Sequence, residues 1–226
     1  MPLRKTLLVN QQHYHVFNRS IAKEPIFLRS KDYIRFNNLV DYYRFKKPSL
    51  RYSFYYRLEI SDKAEYLRNL HESGEKLVQI LAFCWMPTHY HLLLKQLSDN
   101  GISDFLRNLQ NSYAKYFNTK YQRSGSLFQE MFKAVIIQSD EQLTHIIRYI
   151  HLNPLTDYLL KDIKEIETYK WTSFPSYITS NQKSFVETNF ILKHFKNSER
   201  LKIFTYNQVD YQRKLSRLKH LSLERY

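Results

Sequence analysis

Cysteine is almost missing: Cys84 is the only one in 226 residues. A lone thiol excludes an internal disulfide framework and any cysteine-based zinc module, and it fits a reducing compartment. Glycine is nearly as scarce, with three in the chain, and no GxGxxG or GxxxxGK[ST] pattern occurs. A glycine-lined phosphate cradle is therefore excluded. There is no apolar run of the roughly eighteen residues that a membrane-spanning helix needs. The start, MPLRKTLLVNQQHYHVF, has an apolar patch too short for a signal peptide and no small-residue cleavage site. The expectation is an intracellular, cytoplasmic protein.

Acidic residues are the remaining shortage. Thirty-five Lys and Arg stand against 21 Asp and Glu, a net charge of +14, and the isoelectric point is near 9.7. Such a balance points to a polyanionic partner. Aromatics make up 16% of the chain, with 19 Tyr and 15 Phe. Rings beside cations suit a single-stranded nucleic acid, whose bases stack and whose phosphates pair with Lys and Arg. Composition alone also fits a well-solvated basic protein with an aromatic core. The hydrophobic share of 43% allows a buried core and excludes disorder. At about 100–200 residues per domain, the length predicts one large domain or one domain with an appendage.

Pattern along the chain predicts the elements. Residues 12–18 alternate as a strand. Residues 30–45 have apolar side chains at helical spacing, with Ser30 as the expected cap. Residues 50–75 form an elaborated connection, helical from Ser61 to about His71. An apolar run at 76–86 and the segment 89–97 are two strands across the Pro87-Thr88 corner, hence antiparallel neighbours. Residues 98–121 are an amphipathic helix starting near Ile102 or Ser103, and Lys133–Gln138 is a strand. Residues 139–154 are a helix capped by Ser139 with Gln142 at the capping-box position, and Pro154 is expected to end it. Strand, helix, insert, two strands, helix, strand and helix make a split βαβ plan: an α+β fold with a small antiparallel sheet flanked by helices. Residues 193–226 carry nine Lys and Arg against three acids, so a basic, partly helical extension follows the core.

Two constellations can carry chemistry. His89-Tyr90-His91 on a strand puts two imidazoles on one face, where they can hold one divalent ion. His13-Tyr14-His15 has the same form, which shows how cheaply the pattern arises. Tyr149 and Asn153 share a helix face at i, i+4, and a carboxamide oxygen is a hard ligand suited to Mg²⁺ or Mn²⁺. On spacing alone Tyr149, one of 19 tyrosines, reads as core rather than as a functional group, and His145 and His151 read as structural.

Five blocks in order carry a resemblance: YHVFNRS followed by IFL (14–28), WMPTHYHLLLKQ (85–96), LQNSYAKYFNTKYQRSGSLFQEMFKAVII (109–137), RYIHLNPLTDYLL (148–160) and WTSFPSY (171–177). Together, over about residues 12–180, they resemble the REP-associated tyrosine transposases. These belong to the IS200-like, single-tyrosine HUH superfamily of bacterial proteins. The resemblance implies a ferredoxin-like HUH catalytic domain over 1–180, with 50–75 as an insert and 181–226 as the extension. It implies His89 and His91 as the HUH pair, Tyr149 as nucleophile, and Asn153 as third ligand of a Mg²⁺ or Mn²⁺ ion. Asn18 and Arg19 match the family's N-terminal block and are candidate DNA contacts, though they read as readily as a turn asparagine and a surface arginine, and Lys95, Lys115 and Lys133 are candidate phosphate contacts of lower standing. Tyr113, Tyr116 and Tyr121 fall in the connecting helix, as packing or DNA contacts, and Gln129 has no assignable role.

The implied activity is cleavage and rejoining of single-stranded DNA beside a hairpin-forming palindrome, through a 5′-phosphotyrosine link. The implied protein is a monomer or homodimer, associated with the nucleoid when bound and needing no membrane. Two other readings are a domesticated relative that grips DNA or RNA hairpins without cutting, and a metallohydrolase that uses water on the two histidines.

Overall fold

The computed structural model describes residues 6–179 and 184–207. Four strands form one sheet in the order β2-β3-β1-β4: β1 is His13–Arg19, β2 Val78–Met86, β3 His89–Gln96 and β4 Lys133–Ile136. Every pairing is antiparallel, as the tight 87–88 corner and the split βαβ order require.

Helices α1 (Ser30–Tyr43), α2 (Tyr52–Tyr55), α3 (Ile60–Ser73) and α4 (Gly101–Lys120) precede α5 (Asp140–Thr156), α6 (Phe174–Ile178), α7 (Thr188–Phe195) and α8 (Ser198–Tyr206). Because side chains alternate across a strand, each strand feeds two layers. Tyr14, Val16, Tyr90, Leu92 and Leu94 point to one side and are fully buried. There Phe36 of α1 and Tyr113 of α4 pack with Tyr90 and Trp85. The other side lies under α5, which packs on β2 and β3. Gly101 opens α4 where no other residue fits: a Cβ there would lie 2.4 Å from the Leu77 carbonyl oxygen.

The described part of the extension joins the same core. Val186 bridges to Ile80 in parallel, and Ile191 and Leu201 are buried. The predicted basic tail beyond residue 207 lies outside the described residues.

Two boundary expectations are corrected. Ser30 does not cap α1; it is the first helical residue. Asp32 does the work instead, its carboxylate accepting from the backbone N–H groups of Leu28 and Arg29 at 3.0 and 2.9 Å. Pro154 does not end α5, which runs on to Thr156. A proline disfavours helix at its predecessor by a local clash, but Asn153, Leu155 and Thr156 are all buried, and packing outweighs that preference. The Asn153 side chain donates to the Tyr149 carbonyl at 2.9 Å and so serves the turn that the proline weakens. Ser139 caps as expected, accepting from the Gln142 N–H at 3.2 Å.

Candidate active site

Register decides what meets on the α5 side of the sheet. Arg19 stands opposite His89, Phe17 opposite His91, and His15 opposite Leu93. On the next strand Lys133 stands opposite Phe17. One face therefore gathers His15, Phe17, Arg19, His89, His91 and Lys133.

The two imidazoles of β3 are neighbours, with ring centroids 5.1 Å apart and planes at 87°. Each has its Nδ1 engaged. Thr88 Oγ1 is 3.0 Å from His89 Nδ1, and His15 Nε2 is 2.9 Å from His91 Nδ1. Tyr149 descends from α5 onto this cluster. Its ring meets His91 edge-on, with centroids 5.5 Å apart, and meets His15 likewise at 5.8 Å. The phenol, the HUH pair and a third histidine thus occupy one small volume.

Electrostatics follow from the seating. Burial, with the nearby Asp157 carboxylate adding to it, holds the Tyr149 phenol above its ordinary value; a hydrogen bond with the Asn153 side chain and the charge of Arg19 pull the other way. Burial and then Arg19 push His89 down to about 4. At neutral pH its imidazole is uncharged, the form that binds a metal. Asp157 Oδ2 lies 4.0 Å from His89 Nε2.

Among the described residues no group of three or more His, Cys, Asp or Glu side chains gathers to hold a metal ion. The paired imidazoles of His89 and His91 are the donors brought together here, while the Asn153 carboxamide sits one helical turn past Tyr149 and donates to its carbonyl. Imidazole nitrogens are softer donors than Mg²⁺ or Mn²⁺ prefers, so either ion there would have to take most of its ligands as oxygens from water and phosphate.

The other predicted residues are scattered. Arg19 is exposed and beside His89. Asn18 points to the opposite side of the sheet and is buried. Its amide donates to the Gln129 carbonyl at 3.1 Å, and Gln129 N–H donates to the Arg19 carbonyl. This gives Gln129 its role, fastening the 126–129 segment to β1. Lys133 is exposed on the α5 face, and Lys95 lies at the far end of that face opposite His13. Lys115 is exposed on α4, across the sheet from Tyr149. Tyr113 donates to the Ile26 carbonyl at 2.5 Å, and Tyr116 and Tyr121 donate to Asp32, so these three pack the connecting helix. His151 is buried and engaged with Ser173 Oγ at 2.9 Å.

Sequence reasoning passed over His15 and Asp157. Alternation alone puts His15 on the face of Phe17 and Arg19. Its contact with His91 depends on the β1–β3 register, which no local pattern reveals.

Residues 53–153, which include His89, His91, Tyr149 and Asn153, match the family model described as "Transposase IS200 like". No curated protein matches the chain. Among solved structures, a REP-associated tyrosine transposase bound to a REP hairpin aligns with a TM-score of 0.53 at 12% identity, covering 84% of this chain and 92% of that one. A transposase of Deinococcus radiodurans R1 aligns at 14% identity over 66% of this chain and 95% of that one, with a TM-score of 0.36 that carries no argument. Residues 53–153 thus resemble the IS200-like transposases, within a chain whose fold is similar to that of a REP-associated tyrosine transposase.

Proposed function

We propose that this chain cuts and rejoins single-stranded DNA beside hairpins, with Tyr149 as the nucleophile and His89, His91 and Asn153 as the seat of a Mg²⁺ or Mn²⁺ ion. The observation that carries the reading is the edge-on seating of the Tyr149 ring on His91, 5.5 Å between centroids, with His89 alongside. The hairpin as substrate follows the structural relative that was solved with one.

The phenolic oxygen attacks phosphorus, the P–O3′ bond breaks, and the departing 3′-oxygen takes up a proton. The product is a 5′-phosphotyrosine and a free 3′-OH. A second 3′-OH attacking the same phosphorus reverses the step, releases the phenol and joins the new strand. The phosphotyrosine conserves the ester, so no nucleotide triphosphate is consumed. A phenol held above its ordinary pKa is protonated at neutral pH, so its proton must leave as the new bond forms. Arg19, whose charge already lowers the phenol's pKa and which stands opposite His89, is the cation this reading assigns to the scissile phosphate. A bound divalent cation would supply Lewis-acid polarisation of that phosphate. His15 holds His91 by its Nδ1, the outer-shell device that fixes a ligand imidazole.

The test is incubation of the purified chain with hairpin-bearing single-stranded DNA and Mn²⁺. A protein–DNA adduct that survives denaturation, and is absent from Tyr149→Phe, is the expected result. Tight hairpin binding with no adduct at any metal concentration marks a non-cutting binder instead. Cleavage without an adduct marks hydrolysis by water.

A further inference from the structure

We propose that the segment between α1 and α3 is a second DNA surface, which grips unpaired nucleotides flanking the hairpin at a place across the sheet from Tyr149. The proposal rests on the DNA reading above but uses none of its catalytic residues.

Residues 42–58, the end of α1 and most of the segment after it, carry five Lys and Arg and seven aromatics, with acids only at the borders, Asp41 and Glu59. Nowhere else does the chain combine the features of a single-strand binder so densely. Part of that density is internal: Tyr52 and Tyr55 are buried against Tyr42 of α1, and Arg44 pairs with Asp41 at 2.8 Å. What remains faces outward. Phe54 is 55% exposed and Tyr56 59%, and Lys47, Arg51 and Arg57 around them are exposed.

Scattered exposed apolar residues need no explanation, but these two rings stand together among cations. Here cations already address one of the rings. The Arg35 guanidinium lies 4.8 Å from the Tyr56 centroid and 4.3 Å from that of Tyr52. Its Nε is buried and has no hydrogen-bond partner among the described residues. A guanidinium stacked on rings, with basic side chains on both flanks, matches alternating base and phosphate. An acidic peptide would answer the charge but leaves Phe54 unexplained, and a membrane surface would want more apolar area than two rings.

Position sharpens the assignment. Tyr149 stands on the α5 side of the sheet, and Tyr42 belongs to α1, which covers the other side. A strand touching both places must pass round the molecule, so the surface serves nucleotides outside the scissile site.

The experiment measures binding of the full chain, by fluorescence anisotropy, to one hairpin carrying flanks of increasing length. In the wild type a long unpaired flank raises affinity over the trimmed hairpin. Phe54→Ala should cut that gain about tenfold, the size of one lost base stack. Arg51→Glu with Arg57→Glu should lower the salt slope on the flanked DNA by about 1.4, two single-strand phosphate contacts. The trimmed hairpin is each protein's own control, so a folding defect cannot mimic the result. An unchanged flank gain in both variants overturns the proposal, as does a loss confined to binding of an acidic peptide or of anionic vesicles. The two readings fail separately: absence of any Tyr149 adduct refutes the cutting activity, while flank gain depends on this surface alone.

Discussion

Under α1 and α4, the buried Asp32 carboxylate is surrounded by donors: Lys120 Nζ at 2.6 Å, the Tyr116 and Tyr121 hydroxyls at 2.9 and 2.7 Å, and two backbone N–H groups. Under α5, polar groups crowd as closely, yet around a cluster of imidazoles and one phenol with Arg19 at its rim. Both sites grow from one sheet. On the first side the buried carboxylate is answered by donors from other parts of the chain, which is what stability asks of a buried charge. On the second, the side chains converge on one another from β1, β3 and α5, with nitrogens suited to a cation. The difference teaches where to look for function in a split βαβ sheet: on the face whose polar groups converge rather than cancel.

Substitutions can break that contrast. The largest effect belongs to Tyr149→Phe, expected to lower adduct formation on the order of 10⁴-fold or more, as loss of a nucleophile does. Circular dichroism and melting should hardly change, since the ring remains. An active Phe variant would remove Tyr149 from the chemistry.

Asp32→Ala should do the reverse. It strips a buried charge from Lys120 and two phenols, and should cost about 3 kcal/mol by urea denaturation. Mn²⁺ binding by the folded fraction should be retained. The pH dependence has a defined sign. Burial alone would raise the Asp32 carboxyl, but hydrogen bonds from Lys120, Tyr121, the Arg29 backbone and Tyr116 hold it below its ordinary value. Its contribution is present above the unfolded carboxylate value of about 3.9 and is lost as pH falls through the lower folded one. Wild-type stability should therefore decline more steeply than that of Asp32→Asn at the acid end.

His15→Ala is expected to weaken Mn²⁺ binding about 10–100-fold, the usual cost of removing an outer-shell partner, measured by electron paramagnetic resonance. His15→Gln, which can still reach the His91 Nδ1, should recover most of it. Equal loss in both would make His15 a packing residue. Smallest is Lys133→Ala, which should reduce the salt slope of hairpin binding by about 0.7–0.9, one phosphate contact, with no change in melting.

Much of this contrast is legible in the residue order. The alternation of β1 and β3, the Ser139 cap and the i, i+4 pairing of Tyr149 with Asn153 are local, and local rules reach them. Ser30 and Pro154 were misjudged because a nearby carboxylate and a buried turn overrode the residue's own preference. His15 escaped for another reason. Its chemistry is identical to that of His13, which stacks on Phe190, and only long-range register separates the two. Asp157 follows a helix end that the sequence places at Pro154, two residues earlier than the structure does.

One consequence of α5 lying over its own sheet concerns stoichiometry. One copy brings Tyr149 to His91 by itself, so the proposed chemistry requires no phenol from a second subunit. Adduct yield per molecule should stay constant on dilution, and mixing Tyr149→Phe with His91→Ala protein should restore nothing.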